Sequence, residues 1–266
     1  MKRLFAALLV FCFGPLTLCP AIPGKLRVCS DPNNLPFSNQ KSEGFENKIA
    51  EVLARDLKLS LEYTWWAQRR GYVRNTLKAG DCDLLIGIAS GVDSVLTTVP
   101  YYRSTYVFVY RTNRGLHIVS LDSPELRKLK VGVQIIGDDY ANTPPVHALA
   151  RRNIVNVHGY RVAGNYAEPN PPARIIEGVA RGEVDVAIAW GPMAGYFASK
   201  QPVPLRIVPV SPAIDKPSPP FVYDISMAVR RGEGAFKQQI EAAIHRNRAT
   251  IDRILRDYRV PRSLDR

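Results

Sequence analysis

The sequence predicts an α/β protein made of two related lobes, and three observations predict it. The first is the stretch Leu77 to Arg111, LKAGDCDLLIGIASGVDSVLTTVPYYRSTYVFVYR, which holds a helix end, a buried strand, a polar loop and a second strand in one piece. Gly80 tolerates a left-handed helix exit, Asp81 and Asp83 bracket the turn, and Leu84 to Ile88 is apolar on both faces, as in a central parallel strand. The second is a copy of that unit at Val179 to Trp190, VARGEVDVAIAW, with Gly182, Glu183 and Asp185 replacing Gly80, Asp81 and Asp83. The third is spacing. Lys25-Leu26-Arg27-Val28 precedes the first unit and Lys128-Leu129-Lys130-Val131 the second; Asp83 lies 57 positions after Leu26 and Asp185 lies 56 after Leu129. One helix-glycine-acid-strand unit is common in α/β proteins. Two in register point to two lobes, each a mostly parallel sheet flanked by helices.

A chain of 266 residues accommodates two domains of ordinary size. Lys2 and Arg3 precede an apolar run from Leu4 to Leu18 and then Cys19-Pro20-Ala21, which reads as a signal peptide over residues 1–21, cleaved after Ala21. Lipid anchoring through Cys19 is the alternative, although Leu18 is large for the residue before a lipidated cysteine. No other stretch is long and apolar enough to span a membrane, so the mature protein is expected to be exported and not embedded in a bilayer.

In chain order, Lys25 to Cys29 is the first strand, and the loop Asp31 to Asn39 leaves its carboxyl end, where open α/β sheets place ligands. Asp31, Asn33, Asn34 and Phe37 are therefore expected in one wall of a cleft. Phe45, Ile49, Val52, Leu53 and Leu57 recur at helical spacing. Leu59 to Trp66 is a strand, with one of Trp65 and Trp66 expected in the core and the other on the cleft. Val73 and Leu77 mark the next inward helix face. Ile88 ends the buried strand, Tyr101 and Tyr102 follow its loop, and Thr105 to Tyr110 is rich in aromatic and β-branched residues. Ile88, Tyr101 and Tyr102 are expected on the cleft, as are Asn142, Asn170, Trp190 and Tyr223 further along the chain.

The second lobe begins at Lys130 to Val133. Its loop Gln134 to Pro145 carries Asn142 and then Thr143-Pro144-Pro145, a helix start in which threonine caps and proline fills the first turn. Asn165 to Arg174, NYAEPNPPAR, repeats the double proline after Asn170; ligand contact and a plain proline turn both fit it. Trp190 closes the second buried strand, Leu205 to Val210 is another strand, and Tyr223 to Arg230 is a return crossing. Phe236, Ile240 and Ile244, then Ile251, Leu255 and Tyr258, give two closing amphipathic helices.

Signal removal leaves Cys29 and Cys82 in an oxidising compartment. Their placement at neighbouring strand ends predicts a disulfide, with buried free thiols as the alternative; closing a loop of roughly fifty residues is worth about 4 kcal/mol in the chain-entropy model. His117, His147, His158 and His245 show no ligand spacing, and no metal or cofactor is expected.

The strand with Asp-Pro and Pro-Phe, the Gly-Phe helix, the Gly-Asp-x-Asp strand, the Pro-Tyr-Tyr crossing and the terminal helix pair together resemble the family 3 periplasmic solute-binding proteins, over the whole mature chain. The resemblance implies a type II periplasmic-binding fold: lobe 1 from residues 22–111 and 211–266, lobe 2 from 112–210, joined by two crossing strands around a cleft that closes by hinge motion. In amino-acid-binding members a Thr-x-x-Arg grips the ligand carboxylate and a second-lobe aspartate its ammonium. Here the loop Ala89 to Val95 has no arginine and Trp190 stands at the second position, which argues against an amino-acid ligand and for an apolar or aromatic solute, if any. More narrowly, LRVCSDPNNLPFSN, YTWWAQRRGYVRNTL, PYYRSTYVFVYR, NTPPVHALARR, PNPPARI and VDVAIAWGPMAGYFA are similar to the J-component family associated with PQQ-dependent quinoprotein methanol dehydrogenases. That similarity implies a periplasmic, non-catalytic accessory protein, whose partner is the methanol or alcohol dehydrogenase or its cytochrome c. The alternative is the substrate-binding receptor of an ABC transporter for a small non-amino-acid solute. A dehydratase on this fold would need a cleft acid beside an arginine, and Asp31, Asp93 and Asp138 have no evident partner.

The formal charge is +12, and losing Lys2 and Arg3 leaves +10. Export excludes nucleic acid as the reason for this charge, so the terminal arginines, Arg246, Arg253 and Arg256 above all, are expected to dock on an acidic partner. A solvated helix face interleaved with Asp252 and Asp257 is the alternative.

Overall fold

The computed structural model describes residues 24–136, 142–162 and 165–262; the expected signal peptide and Asp138 lie outside them. Lobe 1 opens with β1 (Lys25–Ser30), the small hairpin β2 (Asn33–Asn34) and β3 (Ser38–Asn39), helix α1 (Phe45–Leu57), β4 (Ser60–Trp65), helix α2 (Tyr72–Asn75), β5 (Leu84–Ala89) and β6 (Leu96–Thr97). The long strand β7 (Tyr102–Arg111) leads into lobe 2. That lobe holds β8 (Val131–Ile135), α3 (Pro144–Arg151), β9 (Val157–Arg161), α4 (Arg174–Arg181), β10 (Val186–Trp190), α5 (Gly191–Ala198) and β11 (Leu205–Pro209). Strand β12 (Val222–Val229) returns, and α6 (Gly234–Arg246) and α7 (Arg248–Asp257) bury Ile240, Ile244, Ile251 and Leu255 against lobe 1.

The strands run in the order β4-β1-β5-β12-β7-β10-β8-β9, with β6 on β12 and β11 on β7. β1 is parallel to β4 and β5, and β8 is parallel to β9 and β10, so each lobe repeats one three-strand unit. β7 and β12 run antiparallel between the two units, and β7 changes partners midway: Tyr102–Thr105 lie on β12, Tyr106–Tyr110 on β10. After β11 the chain stays with lobe 2 as far as Phe221. Val210 and Phe221 are in that lobe's core, and Asp215 is gripped by Arg151 and Arg152.

The duplicated sequence unit becomes a duplicated structural one. Gly80 and Gly182 leave their turns at φ +86° and +78°, a conformation that penalises any side chain. The backbone amide of Asp83 donates to Arg27 O at 2.8 Å, and that of Asp185 donates to Lys130 O at 2.9 Å, so each aspartate ties the start of its strand to the parallel neighbour. In lobe 1 the helix before Gly80 is shorter than the spacing predicts. Thr76 Oγ1 donates to Tyr72 O at 2.7 Å and Lys78 N reaches back to Val73 O, which turns the chain out of α geometry after Asn75. Leu77 is nonetheless buried, against Cys29 and Cys82. These two cysteines are bonded, their Cα atoms 5.4 Å apart, because β1 and β5 are sheet neighbours. Thr143 does precede α3, but its hydroxyl donates to Gln134 O at 2.6 Å instead of capping the helix.

A cleft between the lobes as the candidate functional site

The carboxyl ends of β1, β5, β8 and β10 face one another across a cleft of about 1050 Å³. Its lobe-1 wall is Asp31, Asn34, Phe37, Gln68, Arg69, Arg70, Gly87 and Ala89, with Glu46 from the first turn of α1. Its lobe-2 wall is Gln134, Ile136, Thr143, Arg161, Val162, Tyr166, Pro172, Trp190 and Met193. Tyr102, Tyr106, Tyr223 and Ile225, from the crossing strands, form the floor.

Asp31 is buried to 3% exposure, and all its partners are neutral donors. Its carboxylate accepts from Asn33 N at 2.8 Å, Gln68 N at 2.6 Å and the Tyr166 hydroxyl of lobe 2. Glu46 is different: its side chain receives no hydrogen bond or ion pair from any described residue. Burial first, and then the charge of Asp31, push its carboxyl well above the usual glutamate range. It lies against Gly87, where φ is +83° and any Cβ would collide with the carboxylate. Burial likewise raises the phenols of Tyr102, Tyr106 and Tyr223, which therefore stay neutral.

The residues expected in the cleft from sequence fall into two groups. Asp31, Asn34, Phe37, Tyr102, Trp190 and Tyr223 line it. Asn33 instead reaches across, its Nδ2 donating to Glu168 O at 2.9 Å and Tyr166 O at 3.4 Å. Trp65 stacks on Tyr63 at 4.7 Å, and Trp66 is 43% exposed, so neither tryptophan lines the cleft. Ile88 packs towards the disulfide because strand alternation gives the cleft to Gly87 and Ala89. Tyr101 is fully buried in the lobe-1 core. Asn142 accepts from Ile136 N and Thr143 N, and Asn170 sits at φ +50° before Pro171, so both shape turns. Glu46, Tyr106, Gln134 and Tyr166 were not singled out. Only Tyr106 carried a signal, its period of four from Tyr102 along one strand.

Lobe 1 is stitched to lobe 2 at two places. The hairpin loop buries Leu35 among Val107, Ile175, Ile176 and Ala194 of the lobe-2 core. At the other end Tyr258 stacks on Tyr196 at 5.6 Å, and Gly195 packs on the Arg259 carbonyl. In the basic terminal region Arg246 is held by Asp56, whereas Arg253 and Arg256 are exposed and without a partner among the described residues.

Residues 26–260 match the model of the bacterial extracellular solute-binding proteins, family 3. The chain belongs to this family. It is 31% identical to Protein MoxJ of Methylorubrum extorquens over 245 residues, covering 90% of this chain and 81% of that one. The crystal structure of periplasmic binding protein XoxJ from Methylobacterium extorquens AM1 aligns with TM-score 0.74 and 38% identity, over 90% of this chain and all of that one. That of MxaJ from Methlophaga aminisulfidivorans MPT aligns with TM-score 0.76 and 26% identity, over the same shares. The family member is thus MoxJ/XoxJ-like, a binding-type protein of two-lobed type II fold. Among the described residues there is no cluster of three or more metal-ligating side chains, and no helix is long and apolar enough to cross a membrane.

Proposed function

We propose that this protein is a periplasmic accessory protein of a PQQ-dependent methanol or alcohol dehydrogenase, aiding its assembly or activation by protein–protein binding rather than by catalysis. The observation that carries this reading is the stitching of the lobes by Leu35, Asn33 and the terminal segment. A transport receptor releases its solute by hinge opening, and here opening would expose Leu35 and break the Asp31–Tyr166 bond. Full-length similarity to MoxJ and XoxJ supports the choice of partner. A second reading, the receptor of a transporter for a small solute, is favoured by the cleft itself. Affinity purification of the tagged protein from periplasm should recover the quinoprotein dehydrogenase or its cytochrome c. Recovery of neither, with a permease encoded beside the gene, would favour the receptor.

A further inference from the structure

The floor of the cleft is one face of the crossing strands. Register pairs Tyr102 with Ile225 and Ser104 with Tyr223, so Tyr102, Tyr106, Tyr223 and Ile225 share that face. At the lobe-2 end Trp190 meets Tyr106 at 5.3 Å and 64° and Tyr223 at 5.9 Å and 69°. These rings meet edge to face and form an aromatic corner, and all three line the cleft. At the lobe-1 end the floor reaches Glu46. The charge of Asp31, from the exit of β1, acts on Glu46, and Glu46 in turn acts on the phenols of Tyr63 in β4, Tyr72 of α2, Tyr101 ahead of β7 and Tyr102 of β7. All are acids or phenols. Two carboxyl groups thus share one wall, Asp31 buried and Glu46 partly buried, and neither is given a cation by any described residue.

We infer that the cleft binds a small organic cation of the alkyl- or quaternary-ammonium class, its charged head over the tyrosine floor beside Glu46 and Asp31. Ring faces attract such a head, and its charge would draw the raised Glu46 carboxyl back down, so that Glu46 releases its proton on binding and stands as the counterion. An ammonium without a carboxylate needs no arginine fork, in keeping with the loop Ala89 to Val95. The competing occupant is an anion, because Arg69, Arg70 and Arg161 also line the cleft. Arg69 already lies over the ring of Tyr166, 4.8 Å from its centroid. The inference concerns the cleft alone and stands whether or not a dehydrogenase is the partner.

Three molecules of one shape decide it by calorimetry on the intact protein: choline, its neutral carbon isostere neohexyl alcohol, and the anion tert-butylacetate. Choline should bind at least about tenfold more tightly than the alcohol, the scale of one charge-assisted contact, and the anion should bind weakest. Glu46→Gln, with thermal melting as a check on folding, should remove that preference while leaving the alcohol unchanged. Equal binding of choline and alcohol would make the cleft a site for apolar solutes and overturn the inference. Preference for the anion would overturn it in favour of the arginines, and binding of none of the three would overturn it as well.

Discussion

Asp83 receives two bonds from Arg27, at 2.6 and 2.7 Å, and one from Arg230 at 2.6 Å, at the point where β1, β5 and the end of β12 converge. Burial pushes its carboxyl up, but the two guanidiniums outweigh burial and hold it below the usual aspartate range. Asp83→Asn should therefore cost about 2 kcal/mol in urea denaturation at neutral pH. Its counterpart Asp185→Asn should cost about 1 kcal/mol, since Asp185 is more exposed than Asp83 and is held by one guanidinium instead of two. A depressed pKa stabilises the fold above the unfolded value and loses that effect as pH falls through the folded one. The gap between wild type and Asp83→Asn should accordingly narrow from about pH 4 downwards. Glu46 has the opposite sign. Its raised pKa means that the folded state keeps a proton the unfolded chain releases, so stability declines as pH rises above about 4.3. Denaturation of Glu46→Gln at mildly acid and mildly alkaline pH should lack that decline; an unchanged slope would show that Glu46 is solvated. The spacing of Asp83 and Asp185 was legible as repetition, but their arginine partners come from remote strands. Glu46 was not legible because its burial depends on a bare Gly87 across the sheet.

At the scale of elements, periodicity found α1, β5, β10, α6 and α7, each of which hides one face or both. It did not find β9, whose sequence VHGYR is exposed and lacks alternation, or α5, whose GPMAGYFA is apolar all round. Helix α5 makes sense only in its tertiary setting. Gly195 packs directly on the Arg259 carbonyl, so a side chain there would drive off the terminal segment. The loop between β2 and β3 shows the same dependence: Pro36 and Phe37 mark a turn, but nothing local says that Leu35 enters the other lobe. That loop gives a test of the stitching. Leu35→Ala should cost about 3 kcal/mol as a core truncation. Leu35→Asp combined with Asn33→Ala should also increase the radius of gyration in small-angle scattering, because the lobes lose their shared core. If scattering is unchanged while stability falls, Leu35 serves lobe 2 alone and hinge motion is available.

For the whole molecule, the rule that ligands sit beyond the carboxyl ends of parallel strands led from sequence to Asp31 and Phe37, the family resemblance led to Trp190, and the two lobes do present those strand ends to each other. The charge is harder to read from composition, because the terminal arginines divide by role once folded. Arg230 serves Asp83, Arg246 serves Asp56, and Arg248 and Arg262 share Asp252. Arg253 and Arg256 remain exposed on α7, with no acid paired to them among the described residues. The proposed docking on an acidic partner would therefore fall to these two more than to Arg246, whose replacement would first disturb the contact between α6 and α1. Association with the purified dehydrogenase should slow as salt rises from low to physiological strength, since exposed charges act within a Debye length of about 10 Å. Arg253→Glu with Arg256→Glu should lower the association rate by about tenfold and change dissociation little, as stopped-flow mixing would measure. Arg246→Glu should act differently, lowering the melting temperature through loss of the Asp56 pair. Salt-insensitive association, or a double variant that binds at the wild-type rate, would leave α7 as a solvated helix face and move the contact elsewhere.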